Sequence, residues 1–282
     1  MASKPVCEVF MAADNGVGMP PVMILCGGKG TRLREVTELL PKPMVSIGER
    51  PILWHIMKIY ASFGVRRFIL CLGYKREAFV DYFMNYHLRT NDATITLGSA
   101  PEVRFHGEIA EAGWQVTLAG TGEETMTGLR VFRAAKYLSP QDEDFFLTYG
   151  DGVADIDIGA LYKHHLAHGR LLTVSAVHPE ARFGEMRLDG DRVTGFEEKP
   201  PAASGYINGG FMVAKRGFVE RYLSGDRDEF LEREPMEKCV ADGEMHVYRH
   251  DGFWQCMDNR REYQMLNKMW ADGQAPWTKY WE

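Results

Sequence analysis

Short apolar runs alternate with segments of helical periodicity along the first half of the chain. Residues 22–26 form an uninterrupted apolar run that ends in glycines, which is typical of a strand buried on both faces of a parallel sheet. Residues 51–63 place a proline in the first turn and apolar positions at helical spacing, and 67–72 and 75–86 repeat the strand and the helix. This alternation predicts a doubly wound α/β sheet.

The stretch from residue 93 to 119 interrupts this alternation. It holds short runs of mixed polarity at 94–97, 103–105 and 115–118, which are typical of strands. These runs predict either an antiparallel insertion or an edge of the sheet.

The alternation resumes at residue 129, and the chain becomes strand-rich after residue 170. The further predicted segments are helices at 129–138, 158–168 and 260–270 and strands at 144–149, 172–177, 184–188, 192–196, 210–214 and 245–248. We therefore predict an α/β fold, a Rossmann-like doubly wound mixed sheet with a strand-rich insertion. The domain is expected to span residues 22–282, after an N-terminal extension of residues 1–21.

Composition narrows the range of partners and compartments. The formal net charge of −6 argues against a protein that binds nucleic acid. No apolar run approaches the ~20 residues that cross a bilayer, and residues 1–20 lack the compact apolar stretch of a signal peptide. The five cysteines are widely spaced without a Cys-x-x-Cys pair, so we expect neither a disulfide framework nor a zinc site. These features predict a cytoplasmic protein with no nucleic-acid or membrane partner.

A glycine-rich loop follows the first predicted strand. Residues 25–33 have the sequence Leu-Cys-Gly-Gly-Lys-Gly-Thr-Arg-Leu, which places Gly27, Gly28 and Gly30 directly after the strand. Glycines there let the backbone approach a ligand, and their N–H groups can bind phosphate oxygens. A tight strand-to-helix turn without a ligand explains the same glycines. The chain lacks the Gly-Lys-Ser/Thr of a P-loop and the third glycine of the dinucleotide fingerprint.

Two charged residues stand at restrained positions near predicted strand ends. Lys42 lies between Pro41 and Pro43, which stiffen the loop that carries its ammonium. Asp151 follows the strand at 144–149 between two glycines, where open α/β sheets bind ligands, and a carboxylate beside phosphates suits Mg²⁺. Plainer roles stay open for both, as a solvated turn lysine and as a turn or cap residue.

Motifs in a fixed order resemble the sugar-1-phosphate nucleotidylyltransferase family, whose members are also called sugar-nucleotide pyrophosphorylases. The motifs are Gly-Gly-x-Gly-Thr-Arg-Leu at 27–33, Pro-Lys-Pro at 41–43 and Pro-Ile-Leu at 51–53. The resemblance runs from residue 22 to the C-terminus, through further motifs at 121–128, 148–153, 195–200, 206–211 and 251–258. It is greatest for the members that use CTP and glucose 1-phosphate.

The resemblance implies roles for individual residues. Arg32, Lys42 and Lys199 would be catalytic, and Asp151 and Asp258 would bind the Mg²⁺ cofactor. The residues expected to bind the nucleotide are Leu25, Gly27, Gly28, Gly30, Thr31, Arg32, Thr121, Gly122, Thr127, Gly128 and Arg130. Those expected to bind the sugar phosphate are Tyr149, Gly150, Glu198, Lys199, Asn208, Gly209 and Trp254.

The chemistry of these residue types fits the implied roles, although each has a plainer alternative. Hydroxyls and glycines in residues 121–128 suit the edge of a pyrimidine, and the Asn208 amide suits sugar hydroxyls. Without the resemblance, residues 121–128 would be a surface loop and Lys199 a charged residue at a strand end. Asp258 would be a candidate N-cap of the last helix.

The predicted reaction joins CTP and α-D-glucose 1-phosphate with release of pyrophosphate, by in-line attack without a covalent enzyme intermediate. The resemblance also implies a homo-oligomer. The chain departs from the CTP-using members by Leu129 in place of Gly, Cys256 in place of Pro, and Asn259-Arg260 in place of Thr-Leu. Another nucleotide, another or modified sugar phosphate, and a non-catalytic nucleotide-binding homologue therefore stay open as alternatives.

Overall fold

A seven-stranded mixed sheet forms the centre of the protein. The computed structural model describes residues 18–28, 40–99, 102–179, 185–189, 192–197 and 205–281. Within them the strands are β1 (Val22–Leu25), β2 (Ser46–Ile47), β3 (Arg50–Pro51), β4 (Arg67–Leu72), β5 (Ala93–Thr96), β6 (Glu102–Phe105), β7 (Gln115–Gly120), β8 (Asp144–Tyr149), β9 (Gly152–Ala154), β10 (Leu172–Val177), β11 (Glu185–Asp189), β12 (Arg192–Glu197), β13 (Ile207–Lys215), β14 (Met245–His250) and β15 (Trp254–Cys256). The strand order of the central sheet is β14-β10-β13-β8-β1-β4-β7.

Strand directions agree with the predicted mixed sheet. Strands β8, β1, β4 and β7 are parallel, whereas β13 runs antiparallel to both of its neighbours, β8 and β10. All four residues of β1 are buried, because parallel strands pair with both of its edges and apolar clusters cover both of its faces. Alternate side chains enter the two clusters, Val22 and Ile24 on one face and Met23 and Leu25 on the other.

Helices cover both faces of this sheet. They are α1 (Ile52–Ala61), α2 (Arg76–Met84), α3 (Tyr86–Thr90), α4 (Thr127–Ala134), α5 (Ile158–His168), α6 (Arg216–Tyr222), α7 (Glu234–Ala241) and α8 (Arg260–Ala271). Helices α1, α5 and α8 contribute to the cluster that contains Val22, and α4, α6 and α7 contribute to the cluster that contains Met23. Among the described residues, no helix is both long and apolar enough to cross a membrane.

The stretch from 93 to 119 divides between two sheets. Strands β5 and β6 pair antiparallel with each other as a separate hairpin. Strand β7 pairs with β4 instead and forms a parallel edge of the central sheet. Both predicted outcomes are therefore present, and the antiparallel insertion is shorter than the sequence pattern suggests.

The hydrophobic pattern misses two helices and places the end of another helix two residues too late. Helices α6 and α7 are not predicted, because seven or eight residues give too few turns for a clear period. The predicted helix at 75–86 corresponds to α2, which ends at Met84. Asn85, whose side-chain amide donates to the Asp81 carbonyl at 3.0 Å, separates α2 from the short helix α3.

The start of the domain contacts the sheet before β1 begins. Met19 packs against the hydrophobic core, and the Pro21 carbonyl accepts a hydrogen bond from the Phe146 N–H at 2.8 Å. Residues 1–17 of the predicted extension lie outside the described residues. The boundary at residue 22 stays a prediction.

Candidate active site

Several predicted site residues lie at the carboxyl ends of the parallel strands. Strand β1 leads to Gly27, β8 leads to Gly150, and β7 leads to Thr121. A hydrogen bond from the Gly150 N–H to the Leu25 carbonyl, 3.0 Å long, joins two of these ends. Open α/β sheets bind their ligands at this edge, so the position supports the prediction of a substrate site.

A small antiparallel sheet brings Asp258 to Asp151. Strand β9 begins directly after Asp151, and β15 pairs with it so that Cys256 lies opposite Gly152. The Met257 N–H then donates to the Asp151 carbonyl at 2.8 Å. This register places the two carboxylates side by side, as the predicted metal pair requires.

Lys42 lies between these two carboxylates. Its Nζ is 2.5 Å from Asp151 Oδ2 and also donates to Asp258 Oδ1. A 3₁₀ turn at Lys42–Met44, preceded by Pro41 in an extended conformation, holds the backbone, and Lys42 is only 8% exposed. Burial opposes the charge, but the Asp151 and Asp258 carboxylates outweigh it and raise the pKa of Lys42 above its ordinary value. The alternative of a solvated surface lysine is therefore wrong.

The donor set fits a hard divalent cation. Two carboxylates, each partly exposed, converge on a single cationic atom, the Lys42 ammonium, which acts as a stand-in ion. Within the described residues, Cys256, Asp258 and Glu262 also have potential ligand atoms close together. However, the Glu262 carboxylate already accepts hydrogen bonds from the Asp258 N–H at 2.6 Å and the Asn259 N–H at 3.3 Å. Asp151 and Asp258 are thus the better pair for Mg²⁺, and that assignment stays a prediction.

Helix capping accounts for one departure from the CTP-using members. Asn259, not Asp258, is the N-cap of α8, and its side chain accepts a hydrogen bond from the Glu262 N–H at 3.0 Å in a capping box. The Asp258 carboxylate is therefore left to face Lys42. The alternative of Asp258 as the helix cap is wrong.

The other two departures lie close to the site. Cys256 Sγ is 3.7 Å from Asp258 Oδ2, and burial, with help from Asp258, raises the pKa of this thiol to about 12, so it stays protonated. Leu129 is 5% exposed and lies inside helix α4. Neither residue offers a charge to a substrate.

Arg130 connects the glycine loop to the loop at residues 121–128, which we call the base loop. Its guanidinium donates to the Gly27 carbonyl at 3.2 Å, the Gly122 carbonyl at 2.6 Å and Thr121 Oγ1 at 3.0 Å. A Cβ atom added to Gly27 would lie 2.1 Å from the Arg130 Cζ atom, so any larger residue there would force the guanidinium to move. Arg130 therefore positions both loops through protein contacts, and its direct contact with a nucleotide stays a prediction.

The base loop borders a cavity of about 250 Å³ beside the ends of β4 and β7. Residues that the sequence argument does not single out also line it, among them Gly73, Lys75 and Arg76. Lys75 has a φ of 51°, and it is the non-glycine residue with positive φ in the described part of the chain. The binding of a base in this cavity stays a prediction. The sequence signal for the wall that Gly73, Lys75 and Arg76 form was the glycine directly after β4.

An acidic segment at residues 228–232 closes the other side of the base loop. Asp228 accepts a hydrogen bond from the Met126 N–H at 2.7 Å, where helix α4 begins. Glu232 accepts from Thr127 Oγ1 at 2.8 Å and from the Tyr149 hydroxyl at 2.5 Å. Glu232 thereby joins the predicted nucleotide side to the predicted sugar side. Sequence reasoning missed this residue, because its partners lie on other elements and no local pattern marks it.

The Gly128 N–H donates to the Glu229 carbonyl at 2.9 Å, and the Thr121 hydroxyl donates to the Leu72 carbonyl at 2.8 Å. These groups of the base loop are therefore already used within the protein. The Leu25 side chain is likewise buried in the core. The loop shapes the cavity, and base contacts by these residues stay predictions.

The predicted sugar residues form a second group around Tyr149. The Asn208 amide lies 3.5 Å from the Tyr149 hydroxyl, and the Trp254 indole donates to the Gly209 carbonyl at 2.7 Å. The tyrosine ring packs so closely on Gly210, whose φ is 79°, that a Cβ atom there would lie 2.5 Å from it. The structure thus brings Tyr149, Asn208, Gly209 and Trp254 together.

Five predicted residues cannot be placed against this site. Gly30, Thr31, Arg32, Glu198 and Lys199 lie outside the described residues. Their assigned roles stay predictions from the resemblance.

Comparison with known proteins identifies the family. The family model described as nucleotidyl transferase matches residues 21–281. A glucose-1-phosphate cytidylyltransferase of Salmonella typhi is 44% identical and covers 92% of this chain and 99% of its own. A probable glucose-1-phosphate cytidylyltransferase of Bacillus subtilis is 42% identical with the same coverage.

A solved structure agrees with the fold. HddC from Yersinia pseudotuberculosis, 24% identical, superimposes with a TM-score of 0.63 over 89% of this chain and 100% of that chain. The predicted family is confirmed, and its expected cationic and acidic residues meet at Lys42, Asp151 and Asp258. The chain therefore belongs to the nucleotidyl transferase family.

Proposed function

We propose that the chain transfers the cytidylyl group of CTP to α-D-glucose 1-phosphate, forming CDP-glucose and pyrophosphate. The similarity to two cytidylyltransferases over 99% of their lengths supports this substrate pair. The observation that carries the proposal is the meeting of Lys42 with Asp151 and Asp258 at the ligand-binding edge of the sheet. A non-catalytic homologue would have no need to keep these three charges in contact.

The reaction is a displacement at phosphorus. A phosphate oxygen of glucose 1-phosphate bonds to the α-phosphorus of CTP, and the bond from that phosphorus to the bridging oxygen of the β-phosphate breaks. Pyrophosphate leaves with the electron pair, and no residue of the enzyme becomes covalently attached. Positioning and electrostatic stabilisation supply most of the rate increase in such a mechanism.

Each group of residues has a place in this scheme. The glycine loop, with Arg32, holds the phosphates of CTP, and the base loop and the cavity beside β4 and β7 hold the cytosine. Lys199 and Glu198 hold the sugar phosphate, next to Tyr149, Asn208 and Trp254. Lys42 stabilises charge on the phosphates as pyrophosphate departs.

The cofactor in this proposal is Mg²⁺, held by Asp151 and Asp258. When bound, it supplies positive charge to the phosphates and restrains their geometry. The convergence of the Asp151 and Asp258 carboxylates on one cationic atom, Lys42 Nζ, supports the assignment.

Pyrophosphate release with Mg²⁺ tests the proposal. CTP, UTP, dTTP, GTP and ATP are crossed with a panel of sugar 1-phosphates, and kcat/KM is compared. We expect CTP with glucose 1-phosphate to lead by a wide margin. Another leading pair would keep the chemistry but overturn the substrates. No release with any pair would favour the non-catalytic homologue.

We also propose a cytoplasmic homo-oligomer. Cys26, Cys71, Cys239 and Cys256 are unpaired, which suits a reducing compartment. The β5–β6 hairpin exposes Ile95, at 50%, and Leu97, at 88%, which suits a contact with a second copy. Light scattering of the wild type and Leu97→Ser tests the second point, since a monomeric wild type would refute it.

A further inference from the structure

The position of Lys42 carries a consequence for metal binding. Its ammonium contacts both Asp151 and Asp258, and these are the carboxylates proposed to bind Mg²⁺. A divalent cation on both of these oxygens would need the space that the ammonium fills. The ammonium and the ion therefore compete for the same acceptor atoms.

Partial burial of the two carboxylates stabilises the Lys42 ammonium between them. Asp151 and Asp258 side chains are 32% and 25% exposed, so water screens their charges only in part. Without Lys42, two adjacent carboxylates would repel each other. The lysine relieves that repulsion, and the Pro41–Pro43 turn keeps its backbone in place.

We infer that Lys42 is a built-in counter-ion that keeps the metal position closed until a nucleotide arrives. The triphosphate attracts the ammonium away from the carboxylates, and the metal then enters with the nucleotide. Metal and nucleotide consequently bind with positive coupling, and the free protein binds metal weakly. The inference rests on the proposed metal role of Asp151 and Asp258.

Binding of Mn²⁺ alone, followed by the electron paramagnetic resonance signal of the free ion, tests this inference. The full chain is used without nucleotide or sugar phosphate, as wild type and as Lys42→Met. Removing the competing ammonium should tighten Mn²⁺ binding by about tenfold or more. In the wild type, Mn²⁺ must replace the charged hydrogen bonds between Lys42 and the two carboxylates, whereas Lys42→Met has no such bonds to break. Equal or weaker binding by Lys42→Met overturns the inference, and this includes undetectable binding by both proteins.

Two control proteins separate the possible failures. Lys136→Met removes one positive charge from an exposed lysine whose ammonium lies over the Tyr137 ring, and it should bind Mn²⁺ as the wild type does. Adding Asp258→Asn to Lys42→Met should abolish the increase in Mn²⁺ affinity. A gain that survives in the double variant would show that the metal binds elsewhere, which refutes the proposed metal pair as well. The substrate panel still tests the transferase activity separately.

A second measurement covers the case in which Lys42→Met folds poorly. Lys42→Gln keeps a polar group between the carboxylates but carries no charge. Added Mg²⁺ should raise the Tm of Lys42→Gln more than that of the wild type, since only the native state offers the paired carboxylates. An equal rise in both proteins contradicts the inference.

Discussion

His55 should make the stability of the protein strongly dependent on pH in the acidic range. The ring is fully buried in α1, where its Nε2 is 3.0 Å from the Ile47 carbonyl. Its Nδ1 accepts a hydrogen bond from the Trp277 indole N–H at 3.2 Å. A neutral ring with its proton on Nε2 satisfies both contacts, whereas a protonated ring would set an N–H against the indole N–H.

The pKa of His55 determines the size of this effect. Burial lowers the pKa from its ordinary value of 6.5 to about 4. Between these values the unfolded chain binds a proton that the native state does not, so the free energy of unfolding falls as the pH falls. The stability is fully present above pH 6.5 and is lost progressively down to about pH 4. At 1.36 kcal/mol for each pH unit, the loss is about 3 kcal/mol.

Urea unfolding of the wild type and His55→Gln measures this loss. A glutamine amide can donate to Ile47 and accept from Trp277, but it does not titrate. The free energy of unfolding is compared between about pH 7.5 and about pH 4. Other groups, including His168, whose pKa burial also lowers to about 4, contribute equally to both proteins. Subtracting the two curves isolates His55.

As the pH falls, the free energy of unfolding of the wild type should decrease relative to that of His55→Gln. This relative decrease should reach about 3 kcal/mol near pH 4. Parallel curves across the whole range would refute the reasoning. They would mean that burial does not lower the pKa of His55 in the native state.

The remaining predictions concern the active site and are tested by steady-state kinetics. Gly27→Ala should raise the KM for CTP at least about tenfold, because the new Cβ would lie 2.1 Å from Arg130 Cζ and would displace the guanidinium. An unchanged KM would contradict the proposed loop geometry. Glu232→Ala should raise the KM for the sugar phosphate about tenfold by releasing the Tyr149 hydroxyl, and Glu232→Gln should restore most of the loss. An equal defect in both Glu232 variants would argue against that hydrogen bond. Lys199→Ala should lower the rate about 10²-fold or more, and near-normal turnover would eliminate its sugar-phosphate role.

The sequence by itself determined the elements that depend on local pattern. Strand β1 is recognisable because a strand buried on both faces must be apolar at every position. The glycine loop and Asp151 could be proposed as site residues because ligand-binding residues follow such strands in open sheets. Helix α5 also has the predicted bounds, since Asp157 caps its start and Gly169 ends it.

Only the tertiary structure decided which distant residues meet. Lys42 contacts carboxylates 109 and 216 positions away, and nothing near Pro41–Pro43 indicates that the lysine is buried. Arg130 appears in the sequence as a free cation, yet the fold surrounds its guanidinium with carbonyl groups. Glu232 was missed because its partners lie on other elements. Local periodicity reports the conformation of a segment, whereas these contacts depend on strand order and register, which only the packing of the whole chain determines.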